Sequence, residues 1–263
     1  MRARVWDVVA QLGVFAAVII GWQLYVTWGQ VPAFVLPGPG PVWQKLVSIA
    51  KNGTLWRHTA MTVYEIAVGF GLGTALGALV GYFLAQWRAL EEFLQPYILF
   101  AQTAPKIALI PLFVIWFGLG MTSKIVLIVS SVFFPVMVNT ILGLRSVPAE
   151  LNELLALLKA SRWQRLFHIE IPSAFPLFMA GLRLAIIQAT IAAIVAEWIA
   201  GDVGLGFLLV YGSTTYDAQL LLAAVVATNV VGIACYLALL ALERRLLRWQ
   251  ADETAAHLEN TAA

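Results

Sequence analysis

Apolar residues fall in long blocks along this chain, separated by short polar connections, and block length is the first signal they give. A helix needs about 20 residues, within a range of about 17–25, to cross the hydrocarbon core of a bilayer. Six stretches qualify: about Leu12–Trp28, Thr59–Gln86, Leu94–Phe117, Lys124–Leu144, Pro176–Ala200 and Gln219–Leu242. Backbone amides cannot stay unpaired in lipid, so each stretch is predicted to be helical. Pro41–Asn52 is too short and too polar to cross; its Trp43, Leu46, Val47 and Ile49 predict a helix lying in the outer interface. The expected fold class is all-α, a polytopic membrane protein with six transmembrane helices. They form a single domain, residues 1–250, followed by a polar tail at 251–263 that is expected to be disordered.

Composition supports lipid as the solvent. Of 263 residues, 61% are hydrophobic and 11% charged, against about 25% charged in a soluble domain. A net charge of +2 gives no reason to expect a nucleic-acid partner. Cys235, the single cysteine, lies inside an apolar run and reads as a small packing residue. The positive start, Met1 to Arg4, precedes an apolar run too long for a cleaved signal, so a retained first span is expected.

Charge sets the orientation. With the N-terminus inside, the inner loops hold Arg2, Arg4, Arg88, Arg145, Lys159, Arg162, Arg165, Arg244, Arg245 and Arg248. The outer loops hold only Lys45, Lys51, Arg57 and Lys124. The excess of basic residues on one side predicts cytoplasmic N- and C-termini, in a bacterial-type inner membrane.

Two features inside the spans bear on packing and chemistry. Gly69, Gly73, Gly77 and Gly81 place a glycine at every fourth position of the second span. That spacing lets another helix backbone come close, either for packing within one subunit or for movement between parts. Ionisable residues are costly in lipid and so are candidate functional groups. Lys106, with Gln102 and Thr103 one turn earlier, is expected to line a path that favours an anion. Glu65 and Glu197 are further path candidates; an interhelical pair or a snorkelling chain is the alternative for each of these ionisable residues, Lys106 included.

The inner loop Arg145 to Phe175 is too long for a simple turn. Leu151, Leu154, Leu155 and Leu158 form one helical stripe after Pro148, with Glu150 and Glu153 in the first turn. Ser161-Arg162-Trp163-Gln164 is a capping box that opens a second short helix, which Pro172 is expected to end. A helix–turn–helix with apolar and basic faces suits either a bilayer surface or a docked soluble partner.

This loop resembles the EAA loop of the binding-protein-dependent transport permeases, with the pattern E-A-A-x3-G-x9-I-x-L-P. Here Glu153-Leu154-Leu155, Lys159, Ile169, Ile171 and Pro172 stand at the family spacing. The likeness to the nitrate, sulfonate and taurine branch extends to Thr103-Ala104-Pro105-Lys106, Ile110-Pro111-Leu112-Phe113, Trp116-Phe117-Gly118, Gly181-Leu182-Arg183 and Gly204-Leu205-Gly206. Its core covers about residues 59–245. Leucines replace the paired alanines, and Lys159 replaces the glycine that would supply a positive φ in the turn.

The resemblance implies a non-enzymatic transport subunit of an ATP-binding-cassette importer. Two permease copies, as a homodimer, would pair with two ATPase subunits that bind ATP and Mg, leaving no cofactor in this chain. An extracytoplasmic binding protein would deliver a small anion such as a sulfonate, taurine or nitrate, or else a vitamin or pyrimidine precursor. Coupling to the ATPase would fall to Glu153, Leu154, Leu155, Lys159, Ser161, Arg162, Trp163, Ile169 and Pro172. Gly201–Gly206 lacks the Lys and Ser/Thr of a nucleotide loop and is expected to be a structural turn. A gradient-driven carrier would call for broken helices in matching halves, and the first and last three spans show no such repeat.

Overall fold

The computed structural model describes residues 2–247, so the expected polar tail lies outside the described residues. The long apolar blocks do fold as helices, most of them a few residues longer than their hydrophobic cores. In chain order they are α1 (Arg2–Trp28), α2 (Pro39–Lys51), α3 (Thr54–Gln86), α4 (Arg88–Thr103), α5 (Ile110–Phe117) and α6 (Met121–Arg145). There follow α7 (Ala149–Leu157), α8 (Arg162–Arg165), α9 (Ile171–Ala200), α10 (Leu205–Thr214) and α11 (Ala218–Leu246). Among the described residues, five continuous helices are long and apolar enough to cross a membrane, and a bent pair, α4 with α5, makes a sixth if its arms count as one span.

That bend corrects the expectation of one continuous helix over Leu94–Phe117. The two arms meet at 77° across Ala104, Pro105 and a 3-10 turn at Lys106–Leu109. Pro105 has no N–H and disfavours helical geometry in the residue before it. Ala104 accordingly adopts an extended ψ of 134°.

The core is the stack of α3 on α6 and α6 on α9. All four glycines of the second span lie against α6. A Cβ at Gly73 would stand 2.7 Å from Val132 Cβ, and one at Gly77 would stand 2.6 Å from the Phe133 carbonyl oxygen. Removing the side chains lets the two backbones meet, and Val132, Val136 and Ile128 fill the groove with no exposure at all. Helix α1, by contrast, buries nothing across its apolar window.

Helix α2 sits where the polar break predicts. Val42 and Ile49 pack with Leu220 and Ala223 of α11, while Trp43 points outward. Lys45 ties α2 to the start of α11 by donating to Asp217 at 2.6 Å.

Pro172 does not end a helix. It lies in the first turn of α9, and Arg162–Ala200 runs as one 39-residue apolar rod. A π-type turn at Leu166–Glu170 widens the backbone just before the proline, where a missing N–H is tolerated. Helix α10, ten residues and too short to cross, was not anticipated from the sequence; it packs between α9 and α11.

Candidate functional site

Among the described residues, three groups of candidate side chains emerge, and they are spatially distinct. The first surrounds a cavity of about 510 Å³ at the elbow of the broken span, between the middles of α6 and α9. Its walls are mostly apolar, with Gln102, Lys106, Ser131, Asn139 and Gln188 as the polar groups and Phe134 as the largest ring. Among the described lining residues Lys106 is the one charged group. Its Nζ donates to the Gln102 carbonyl at 3.2 Å and stands 5.0 Å from the Phe134 ring centroid. The carbonyl dipole and the ring face both attract the cation without neutralising it. Thr103, grouped with these residues in the sequence, turns back on its own helix and bonds the Leu99 and Phe100 carbonyls.

Glu65 and Glu197 are not at that cavity. They form the second group, at the end of the bundle remote from α7 and α8. Glu65 pairs with Lys124, and Glu65, Lys124 and Glu197 are 0%, 1% and 0% exposed. Lys124 therefore is no loop residue: it opens α6 and is among the most deeply buried side chains. Its aliphatic stem and its ion pair both favour that position over an apolar run edge.

Around this trio the backbone of α10 begins, and other helices satisfy its first amides. Gly204 N–H reaches His58 Nδ1 at 3.0 Å, Leu205 N–H donates to Thr62 Oγ1 at 2.9 Å, and Gly206 N–H donates to Glu197 Oε2 at 2.7 Å. The Thr62 hydroxyl in turn donates to Glu197 Oε1 at 2.6 Å. A helix start normally leaves such N–H groups without partners. Here α3 and α9 cap α10 from outside, and Gly204, at φ +130°, gives the room, because a Cβ there would meet the Glu197 carboxylate. Two acids inside apolar runs were the sequence signal for a buried pair. Their partners, His58, Thr62 and Lys124, carried no local pattern.

The third group is the loop. Ser161 accepts the Gln164 N–H, and its own N–H donates to Gln164 Oε1 at 2.8 Å, so the capping box is formed. Lys159 turns the chain at φ +52°, the conformation for which glycine is the easy residue. The surface is apolar and unusually open: Leu157 is 81% and Trp163 70% exposed, and Trp163 stacks on Phe167 at 5.8 Å. Glu153 and Arg162 are exposed beside them, whereas Ile169 is half-buried. Arg165 holds the loop to the bundle through Glu170 at 2.7 Å, and Glu91 pairs with Arg145 nearby.

Residues 73–248 match the family described as binding-protein-dependent transport system inner membrane components. The chain belongs to this family. Among its relatives, a riboflavin transport system permease from Chloroflexus aurantiacus is 36% identical over 89% of this permease and 87% of its own length. An aliphatic sulfonates transport permease from Bacillus subtilis is 32% identical, covering 89% and 85% of the two chains. In structure the permease resembles a solved amino acid ABC transporter chain, at a TM-score of 0.58 and 19% identity, over 76% of this chain and 97% of that one. That last likeness concerns the fold. The family and these relatives make the chain an ABC importer permease subunit, a membrane transport component of which the cavity and the loop are the exposed chemical features.

Proposed function

We propose that this permease forms half of a translocation path for a small organic anion and is driven by a separate ATPase bound at α7 and α8. What carries the reading is the loop: a capped, folded element that displays Leu154, Leu157, Leu158, Trp163 and Phe167 to its surroundings. Large aromatic anchors beside arginines are the usual make-up of a protein-docking patch. Glu153, Leu154, Leu155, Lys159, Ser161, Arg162 and Trp163 take the contact or shape it, and Ile169 and Pro172 join it to α9. ATP and Mg reside in the partner, two ATPase subunits serve two permease copies, and a binding protein delivers solute to the opposite face. The excess of Lys and Arg at the loop end supports a cytoplasmic location for that end and for both termini.

The cavity supports the anion. Lys106 is its one charge, and the walls are otherwise amide and hydrocarbon. A second substrate class, a vitamin or related ring compound, is favoured by Phe134 at the same place and by the riboflavin relative. Competition settles between them: uptake of a labelled alkanesulfonate in cells expressing the whole transporter is challenged with excess riboflavin or excess taurine.

Co-purification of the tagged chain with its ATPase tests the coupling role. The wild type is expected to retain the ATPase and Glu153→Arg to lose it. A chain that retains no ATPase, yet moves solute alone in liposomes, would overturn the reading.

A further inference from the structure

Two carboxyl groups and one ammonium are enclosed together where α3, α6 and α9 meet the start of α10. If all three were ionised, the buried trio would hold one negative charge with no counter-ion. A buried group in that position escapes the cost by binding a proton. The hydrogen bonds indicate which group takes it. Lys124 Nζ donates to Glu65 Oε1, so Glu65 is the ionised partner. Glu65 Oε2 is buried and has no donor. Thr62, one turn before Glu65 on α3, donates to Glu197, which brings the two carboxyls to the same face of that helix. Among the described residues, no lysine pairs with Glu197, and its oxygens receive the Thr62 hydroxyl and the Gly206 N–H.

The other charged or titratable groups nearby do not change the count. His58 Nδ1 on α3 stands 3.0 Å from the Gly204 nitrogen and 2.9 Å from the Gly204 carbonyl oxygen; as the acceptor of that N–H the imidazole is neutral and adds no charge. Arg57 on α3 and Asp202, in the turn after α9, are exposed to solvent. The N-terminal dipole of α10 favours an anion at Glu197. It supplies no donor to the second Glu65 oxygen, Oε2.

We propose that Glu197 carries one retained proton and donates it to Glu65 Oε2, making Glu65, Lys124 and Glu197 an electroneutral proton-binding site that pins the start of α10. The ligand is a proton, held apart from the cavity at Lys106. The site fastens a helix too short to span to the two long helices beside it.

Infrared spectroscopy of the full chain in lipid nanodiscs near neutral pH tests this. The wild type is expected to show a carboxylic-acid carbonyl band that shifts in D2O, and Glu197→Gln is expected to lack it. No such band in the wild type, or its full survival in Glu197→Gln, overturns the proposal. If Glu197→Gln does not assemble, Lys124→Met replaces it as the probe. Without the ammonium both carboxyls must be neutral, so the acid band roughly doubles; an unchanged band overturns the proposal equally.

Discussion

Lys106 stands over the face of Phe134, its Nζ 5.0 Å from the ring centroid, at the elbow where α4 gives way to α5. A straight third span would have carried this lysine along a helix wall. The break turns it into the cavity between α6 and α9 instead, as the single charge there among the described lining residues.

Lys106→Gln should therefore slow uptake of an anionic substrate while leaving the permease assembled with its ATPase. A cation–π and charge contribution of about 1–2 kcal/mol corresponds to roughly a tenfold fall or somewhat more. Initial uptake rates at a fixed amount of binding protein measure it, with ATPase recovery as the control. Unchanged uptake would remove the lysine from the path.

Trp163→Ala should weaken retention of the ATPase by roughly 30-fold, the effect of losing a central aromatic anchor of about 2 kcal/mol. The side chain is 70% exposed, so the isolated permease should keep its thermal stability. Loss of both properties together would mean that Trp163 supports the fold.

The glycines of α3 offer a paired test. Gly77→Ala puts a methyl against the Phe133 carbonyl oxygen, a backbone atom that cannot swing aside, whereas Gly71→Ala meets nothing within 4 Å. The first should destabilise the chain by about 1–3 kcal/mol and the second should have little effect. Heating in detergent followed by size-exclusion chromatography separates the two; equal behaviour would show that α3 and α6 are free to part.

At the remote end, Asp217 answers to pH. Burial pushes its carboxyl up, but the Lys45 ammonium and the Leu220 and Gln219 N–H groups outweigh that and hold it below the usual value of 3.8. The unfolded carboxyl thus binds its proton before the folded one does. The stabilisation is complete above about pH 4 and fades as acid carries the pH down through the folded value. Hydrogen exchange of α2 should accelerate in that acid range, and Asp217→Asn should bring the faster exchange to neutral pH. An α2 equally protected in both proteins would leave the Lys45–Asp217 pair without a role.

Sequence and structure agree where a long local pattern decides the matter. The apolar runs located the long helices, and Ser161 to Gln164 announced its own capping box. They part where a few atoms or a distant partner decide. Leu94–Phe117 is apolar on both sides of Pro105, so hydropathy could not register a 77° bend there. Lys124 sits at the edge of an apolar run and reads as a loop residue until Glu65, 59 positions away, is seen beside it. Helix α10 escaped notice for a related reason. It is too short for a span, and its caps come from α3 and α9 rather than from its own sequence.

The unbroken rod from Arg162 to Ala200 has a mechanical consequence. At 1.5 Å per residue it is about 58 Å long, with Trp163 near one tip and Glu197 near the other. A displacement of the aromatic tip would therefore be carried along a single helix to the distant carboxyl, without a relay between separate elements. The wide turn at Leu166–Glu170 is the one irregular segment along it, and it is fastened through Glu170 to Arg165 and Gln86. Glu170 thus ties the rod to α3 at the foot of the loop, while Glu197 ties it to the start of α10 at the other end.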